Sequence, residues 1–166
     1  MDGTGPAVEH DDYSDDYIRA ILREVKVIAL VGASANWNRP SFFAMKYLQQ
    51  KGYRVIPVNP GVAGKEILGE EVYAKLADIP VKVDMVDVFR RSEECVPYAE
   101  QAVEIGAKVL WLQLGIRNDE AAVLAEKAGL KVVMNRCPKI EYARLQGELS
   151  WNGINSGVIS SKKRKL

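Results

Sequence analysis

Histidine and cysteine are scarce in this 166-residue chain, which has one histidine and two cysteines. The histidine, His10, lies in a polar N-terminal stretch, so the sequence argues against a histidine-based triad, metal site or general base in the core. The cysteines, Cys95 and Cys137, form no CxxC motif. They are too few for a disulfide framework or a structural zinc site, although a single disulfide between them stays open.

An excess of one charge and long apolar runs are also absent. Lys and Arg number 23 against 22 Asp and Glu, a formal net charge of +1, which does not favour a nucleic-acid or membrane-surface protein. No stretch approaches the roughly 20 apolar residues of a membrane span. The acidic start lacks the basic and apolar regions of a secretory signal. We therefore expect no nucleic-acid or membrane partner and a cytoplasmic location.

What the sequence does contain is a regular alternation of apolar strands and helices. Helices are predicted over 14–25, 40–51, 92–105 and 118–128. The apolar runs between and after them are typical of strands buried on both faces of a sheet: 27–31, 54–58, 83–88, 108–112 and 131–134. The pattern predicts an α/β fold: one Rossmann-like, doubly wound parallel sheet of about five strands with helices on both faces.

The two ends of the chain lie outside this alternation. Residues 1–13 are acidic and show no apolar periodicity, so we predict that they form a flexible leader. The domain then covers 14–146, and residues 147–166 form a C-terminal extension that ends in the basic run SSKKRKL. The irregular stretch 59–82, with a short helix predicted around 73–78, is a long crossover of the kind that carries function in other proteins.

The residues that follow each strand are the most informative, because ligands of open parallel sheets bind beyond the carboxyl ends of the strands. The first such loop runs from Gly32 to a helix predicted to start at Pro40, where proline fits the first helical position. Unpaired amides and the positive end of the helix dipole make such a start an anion site. The loop is neither GxGxxG nor GxxxxGK[ST], and an ordinary strand-to-helix turn is the alternative.

The end of the second strand argues against a nicotinamide dinucleotide. Such a site places Asp or Glu there for the ribose hydroxyls, whereas this strand ends Val58-Asn59-Pro60. Basic residues in the loops suit phosphates, but bases also precede the strands, and solvated surface charge is the alternative for each of them. The loop bases are Arg39, Lys65, Arg90, Arg91, Arg117, Arg136 and Lys139.

Cys137 follows the last predicted strand, at the expected ligand edge. A nucleophilic cysteine needs a lowered pKa and usually a base partner, and no histidine is available for that task. We therefore interpret Cys137 as a packing or ligand-lining residue and Cys95 as a small apolar filler. Trp37 is a candidate to cover a ligand. Three further aromatic residues are predicted to lie in the core: Phe42, Phe43 and Trp111.

Several longer segments together match a known pattern: VIALVGAS, NRPS, FAMKYLQQKGYRVIPVNP, AGKEILGE, KVDMVDVFR, EIGAKVLWLQLG and VVMNRCPKIE. They strongly resemble the small coenzyme A-binding proteins, which stand alone and are similar to the CoA-binding domain of the succinyl-CoA synthetase α subunit. The resemblance covers about residues 15–145. It implies a five-stranded Rossmann-like sheet, with coenzyme A or an acyl-CoA as the ligand.

The resemblance also implies which residues form the site. They are Gly32, Ala33, Ser34, Arg39, Pro40, Ser41 and Lys65 at the phosphates, Val58, Asn59 and Pro60 beside the adenosine, Phe89 and Arg90 along the cofactor path, Leu114 and Gly115 near the pantetheine, and Cys137 at the thiol end.

The expected role is binding without catalysis, because the synthetase subunit uses a phosphorylated histidine in a second domain that this sequence does not contain. Three alternatives stay open. One is an NAD(P)-binding oxidoreductase or redox sensor on the same fold, and another is an enzyme that uses Cys137 on acyl thioesters. The third is a protein-interaction subunit without a ligand. A homo-oligomer or an unidentified protein partner is also compatible with the sequence.

Overall fold

The computed structural model describes residues 9–151 of the chain, with side chains for residues 9–146. The strands of this part are β1 Val27–Val31, β2 Arg54–Val58, β3 Glu66–Ile67, β4 Glu70–Glu71, β5 Met85–Val88, β6 Val109–Leu112 and β7 Lys131–Val133. The α-helices are α1 Asp15–Glu24, α2 Pro40–Gln50, α3 Cys95–Glu104, α4 Asp119–Lys127 and α5 Pro138–Trp151. Single 3₁₀ turns cover Pro60–Val62, Leu76–Asp78 and Ser92–Glu94.

Five strands form one parallel sheet in the order β2-β1-β5-β6-β7. The chain runs outward from β1 to β2 and then returns to place β5 on the other side of β1. The strand order therefore reverses between β1 and β5, and their carboxyl ends form the crevice where open α/β sheets bind ligands. The predicted fold class is confirmed, and the predicted strands and helices are present with ends that differ by a few residues.

Each face of the sheet carries its own apolar core, because side chains alternate along every strand. Leu30, Asp87 and Trp111 are neighbours in the strand register and lie on one face. Leu30 and Trp111 belong to the core that is completed by apolar residues of α1, α2 and α5. Leu110 belongs to the core on the opposite face, where alanines of α3 and α4 pack. Full burial of a leucine such as Leu110 contributes roughly 1.5–3 kcal/mol.

Strand β2 is an edge of the sheet, which explains why it tolerates a proline. Pro57 is in register with Leu30 of β1, and on the outer side its carbonyl oxygen accepts a hydrogen bond from the amide of Tyr73 at 3.1 Å. Proline lacks an amide hydrogen and is therefore confined to such edges.

The crossover after β2 contains a small hairpin that we did not predict. Strands β3 and β4 are antiparallel, and the turn between them holds Leu68 and Gly69 at φ angles of 50° and 85°. Two consecutive left-handed residues are typical of a tight hairpin turn. The short helix predicted around 73–78 is present only as the 3₁₀ turn Leu76–Asp78.

The N-terminal residues differ from the predicted flexible leader. Of these residues the structure describes 9–13, which we name the N-terminal strap; residues 1–8 lie outside the described part. In the strap, His10 and Tyr13 are buried, with exposed fractions of 2% and 9%. The Tyr13 hydroxyl accepts a hydrogen bond from the amide of Met134 at 2.7 Å. The rings of His10 and Tyr13 pack against the domain. The acidic composition of the strap gives no sign of this packing.

At the other end, α5 continues past residue 146, the predicted boundary of the domain, to Trp151. It passes through Gly147, because a single glycine within a helix costs only about 1 kcal/mol relative to alanine. Residues 152–166, which include the basic run, lie outside the described part. Among the helices that the structure describes, none has the length and apolar character needed to span a membrane.

Candidate functional site at the carboxyl edge of the sheet

The loops that follow β1, β2 and β5 meet at the switch point, and we call them the open half of the carboxyl edge. Gly32 has a φ of +87°, and a Cβ atom at this position would lie 2.5 Å from the carbonyl oxygen of Phe89. The amide of Gly32 donates to the carbonyl oxygen of Val58 at 2.9 Å. Position 32 therefore requires glycine, because the backbone turns there between the ends of two neighbouring strands.

Asn59 fastens the second loop of the open half to the first. Its side-chain Nδ2 donates to the carbonyl oxygen of Ala33 at 2.8 Å, and its Oδ1 accepts from the amide of Gly61 at 2.8 Å. Both polar atoms of the Asn59 side chain therefore form hydrogen bonds with the backbone. A nicotinamide dinucleotide site would have a carboxylate at this position.

The start of α2 projects from the open half without a cap. Its N-cap residue, Arg39, is extended and makes no side-chain capping hydrogen bond, Pro40 occupies the first turn, and that turn contains no acidic residue. Ser34 and Asn36 shape the loop before it, since Ser34 Oγ accepts from the amide of Asn36 at 3.1 Å. The helix start therefore keeps its positive end for a ligand. Ser41, in the first turn, is buried.

The basic residues predicted at this edge fall into two groups. Arg90 and Arg91 both pair with Glu94, at 3.0 and 2.9 Å, and the guanidinium groups, Arg91 foremost, lower the pKa of the Glu94 carboxyl. Arg39 and Lys65 are exposed, and among the described residues neither has an ion-pair partner. The described part of the fold therefore supplies no counter-charge to these two predicted bases.

The loops after β6 and β7 form the second part of the edge, which we call the strapped half because the N-terminal strap covers it. Gly115, at a φ of 86°, donates its amide to Asn135 Oδ1 at 2.7 Å, and Leu114 beside it is exposed. Cys137 is a free, buried cysteine immediately before α5. The structure thus joins Leu114, Gly115 and Cys137 in one half and the residues of the first loop in the other.

Three further loop bases, which the sequence analysis named without assigning them to the site, have partners within the strapped half. Arg117 Nη1 lies 2.5 Å from the Asp11 carboxylate, and Arg136 Nη2 donates to the Asp11 carbonyl oxygen at 3.2 Å. Lys139 lies over the ring of Tyr47 at 5.6 Å. The loop positions alone did not separate these residues from Arg39, because their partners are distant in sequence; only the family resemblance did.

The aromatic and cysteine predictions have mixed outcomes. Trp111 is fully buried, and Trp37 is exposed. Phe42 packs against the core, but Phe43 is 48% exposed, so its assignment to the core was wrong. One turn of α2 cannot direct two adjacent side chains to the sheet. Both cysteines are free, which removes the disulfide alternative, and Cys95 is fully buried.

Two buried polar residues near this edge were missed by the sequence analysis. Asp87 is fully buried on the central strand β5, and neither of its carboxyl oxygens has a hydrogen-bond partner among the described residues. Burial raises its pKa well above the usual value, which favours the neutral carboxyl. Gln113, at the end of β6, also has a buried side-chain oxygen without a described partner. The sequence signal for Asp87 is an acid inside the apolar run VDMVDV.

Comparison with known proteins gives a consistent result. Residues 26–143 match the model of the CoA binding domain. The chain is 40% identical over 126 residues to the uncharacterized protein YneT of Bacillus subtilis (strain 168), and the alignment covers 76% of this chain and 92% of that protein. A hypothetical protein from Pyrococcus horikoshii OT3 superposes with a TM-score of 0.78 at 44% identity, over 89% of this chain and all of that chain. The cell-free ID.343 protein of Thermus thermophilus gives 0.76 at 38% identity, over 80% and 99% of the two chains.

Proposed function

Because the chain belongs to the CoA binding domain family, we propose that it binds coenzyme A, free or as an acyl-CoA, at the carboxyl edge of the sheet. The observation that carries this proposal is the uncapped start of α2, which has no acid in its first turn. Phosphate oxygens accept hydrogen bonds from such helix amides and pair with guanidinium and ammonium groups. Arg39 and Lys65, which have no ion pair with any residue of the described part of the chain, would supply the positive charge.

In this proposal the phosphates lie against the open half. Gly32 lets the backbone approach the ligand closely, and Arg39 meets the phosphate at the mouth of the site. The full set of phosphate contacts is Gly32, Ala33, Ser34, Arg39, Pro40, Ser41 and Lys65.

The rest of the ligand would follow the edge of the sheet. The adenosine would border β2, whose end offers an amide and no carboxylate, in keeping with a cofactor other than NAD. The pantetheine arm would then cross toward the strapped half. The residues proposed along this path are Val58, Asn59 and Pro60 at the adenosine, Phe89 and Arg90 in the middle, Leu114 and Gly115 at the pantetheine, and Cys137 at the thiol end.

We further propose that the chain binds this ligand without catalysing a reaction. A cysteine nucleophile is activated by a base within hydrogen-bond reach. Among the described residues no hydrogen bond joins His10 to Cys137, since the His10 ring contacts Tyr13 and Glu126.

The test is thermal unfolding of the purified protein in the presence of CoA, acetyl-CoA, NADP and NAD, after mass spectrometry of the preparation for retained CoA. A ligand at 100 times its Kd stabilises the native state by about 2.7 kcal/mol. We expect CoA or acetyl-CoA to raise the Tm and NAD to leave it unchanged.

Other outcomes would overturn the proposal. A shift with NAD or NADP alone would favour the oxidoreductase alternative. The absence of any shift in protein shown to be free of CoA would favour an interaction subunit without a ligand. Covalent acylation of Cys137 by acetyl-CoA, detected by mass, would contradict binding without catalysis.

A further inference from the structure

The N-terminal strap ties together two loops that are far apart in the sequence. The Asp11 carboxylate pairs with Arg117 of the loop after β6 at 2.5 Å. The Asp11 carbonyl oxygen accepts from Arg136 of the loop after β7 at 3.2 Å. The guanidinium of Arg136 also lies over the ring of Tyr13, 5.1 Å from its centroid. The strap therefore holds both loops of the strapped half in one arrangement.

His10 forms the buried anchor of the strap, and its contacts define its protonation state. The Tyr13 hydroxyl accepts from the amide of Met134 at 2.7 Å, and it lies 2.5 Å from His10 Nδ1. The Tyr13 proton is then donated to Nδ1, which leaves the ring proton on Nε2. That nitrogen lies 3.3 Å from Glu126 Oε2. The Nδ1 side is satisfied when the ring is neutral with its proton on Nε2, whereas the Nε2–Oε2 approach is a close contact that does not count as a hydrogen bond among the described residues.

Protonation of His10 breaks this match. A proton on Nδ1 faces the Tyr13 oxygen, which already accepts from Met134, and the Tyr13 proton then has no acceptor in this arrangement. A buried polar group without a partner is unfavourable. The arrangement thus distinguishes the neutral ring from the cation by hydrogen bonding as well as by burial.

The charges around His10 act in both directions. Desolvation is the largest effect and disfavours the cation, Glu126 opposes it, and Arg117 and Asp119 contribute smaller effects of opposite sign. The net result is a lowered pKa for His10. A histidine with a lowered pKa in the folded state contributes its full stabilisation above its unfolded value and loses it as the pH falls below that value.

We propose that the N-terminal strap is a pH-sensitive clasp, docked while His10 is neutral and released when His10 gains a proton. Release frees the loops after β6 and β7, and it separates Arg117 from the Asp11 carboxylate and Arg136 from the Asp11 carbonyl oxygen, so that both guanidinium groups become available to an anionic ligand. The clasp rests on contacts within the described residues and does not depend on which ligand the carboxyl edge binds.

The sequence offers a direct probe, because it contains one histidine. NMR titration of the imidazole from pH 8 to 5 reports the ionisation of His10, and hydrogen exchange over the same range reports docking through the amide of Met134. We expect a midpoint below 6.5, the unperturbed value. Exchange at Met134 should rise about tenfold beyond the change in intrinsic rate as His10 titrates. The amide of Leu110, in the central sheet, should stay protected.

Glu126→Gln sharpens the test. It removes the carboxylate that favours the imidazolium, so both transitions should move to lower pH, whereas Glu120→Gln, an exposed acid on the same helix, should leave them unchanged. A His10 midpoint at or above 6.5, or Met134 protection that stays constant while His10 titrates, would overturn the clasp. Loss of protection at Leu110 together with Met134 would also overturn it, because acid would then act on the whole domain.

Discussion

The two halves of the carboxyl edge carry the same kind of residue in different circumstances. Arg117 and Arg136 in the strapped half are bound by Asp11, whereas Arg39 in the open half has no ion-pair partner among the described residues. Both kinds of arginine follow a strand of the same parallel sheet. An arginine in such a loop therefore does not identify a ligand site. What distinguishes the two halves is whether the described part of the fold already gives the guanidinium a hydrogen-bond or ion-pair partner.

The helix starts of the two halves show the same difference. In α4, the side chain of Asn118 accepts from the amide of Ala121, and Asp119 and Glu120 lie in the first turn. In α2, the N-cap Arg39 makes no capping hydrogen bond and the first turn has no acid. The start of α4 is thus complete within the protein, and the start of α2 leaves its positive end to a partner from outside.

The largest expected effect comes from breaking the close packing of the open half. Gly32→Ala should destabilise the domain by about 3 kcal/mol or more, because it adds a Cβ clash with the Phe89 carbonyl oxygen to an unfavourable positive φ. Gly52→Ala is the matched control: its φ is +101° and nothing lies within 4 Å of the added atom, so we expect about 1 kcal/mol. Urea denaturation measures both. Equal losses would show that the approach to Phe89 is unimportant.

An intermediate effect is expected from loosening the strapped half. Tyr13→Phe removes the acceptor for the Met134 amide and should cost about 1–3 kcal/mol of unfolding free energy. Tyr98, which packs against the core on the opposite face and makes no described side-chain hydrogen bond, supplies the control as Tyr98→Phe, for which we expect a change below about 0.5 kcal/mol. Thermal or urea unfolding at pH 7.5 distinguishes them; a neutral Tyr13→Phe would remove the strap from the account.

Asp87 lies on the strand between the two halves. For a variant at this position we expect a change in how the free energy of unfolding depends on pH. The pKa of Asp87 is raised by burial, so the folded protein binds a proton that the unfolded chain releases. Stability should fall as the pH rises above the unfolded value of 3.8. Asp87→Asn should remove that slope, which urea unfolding between pH 5 and 8.5 measures. An unaltered slope would mean that Asp87 ionises normally.

The sheet and its helices follow from local signals in the sequence. Strand β5 is recognisable because its residues are apolar on both faces, and α4 because Asn118 and the acids after it mark a helix start. Glycines such as Gly106 mark the ends of helices before strands. These signals act between neighbours in the chain, so composition and periodicity are enough to read them.

The division of the edge into two halves could not be predicted in the same way. Asp11 and Arg117 are separated by 106 residues, and Tyr13 and Met134 by 121. Nothing local to either partner marks the pairing. Our prediction of a flexible leader followed from the acidic composition of the strap. For the same lack of long-range information the loop positions alone did not rank the bases, and only the family resemblance selected Arg39, Lys65 and Arg90.

Calorimetric titration of CoA into the wild type, Arg39→Ala and Arg91→Ala tests whether the open half binds the phosphates of CoA. Arg91 is a base of the same edge that Glu94 already binds. We predict that Arg39→Ala raises the Kd about tenfold or more, since a charge-assisted hydrogen bond contributes about 1.5–3 kcal/mol. Arg91→Ala should stay within about twofold. An unchanged Kd for Arg39→Ala, or equal losses in both variants, would contradict it.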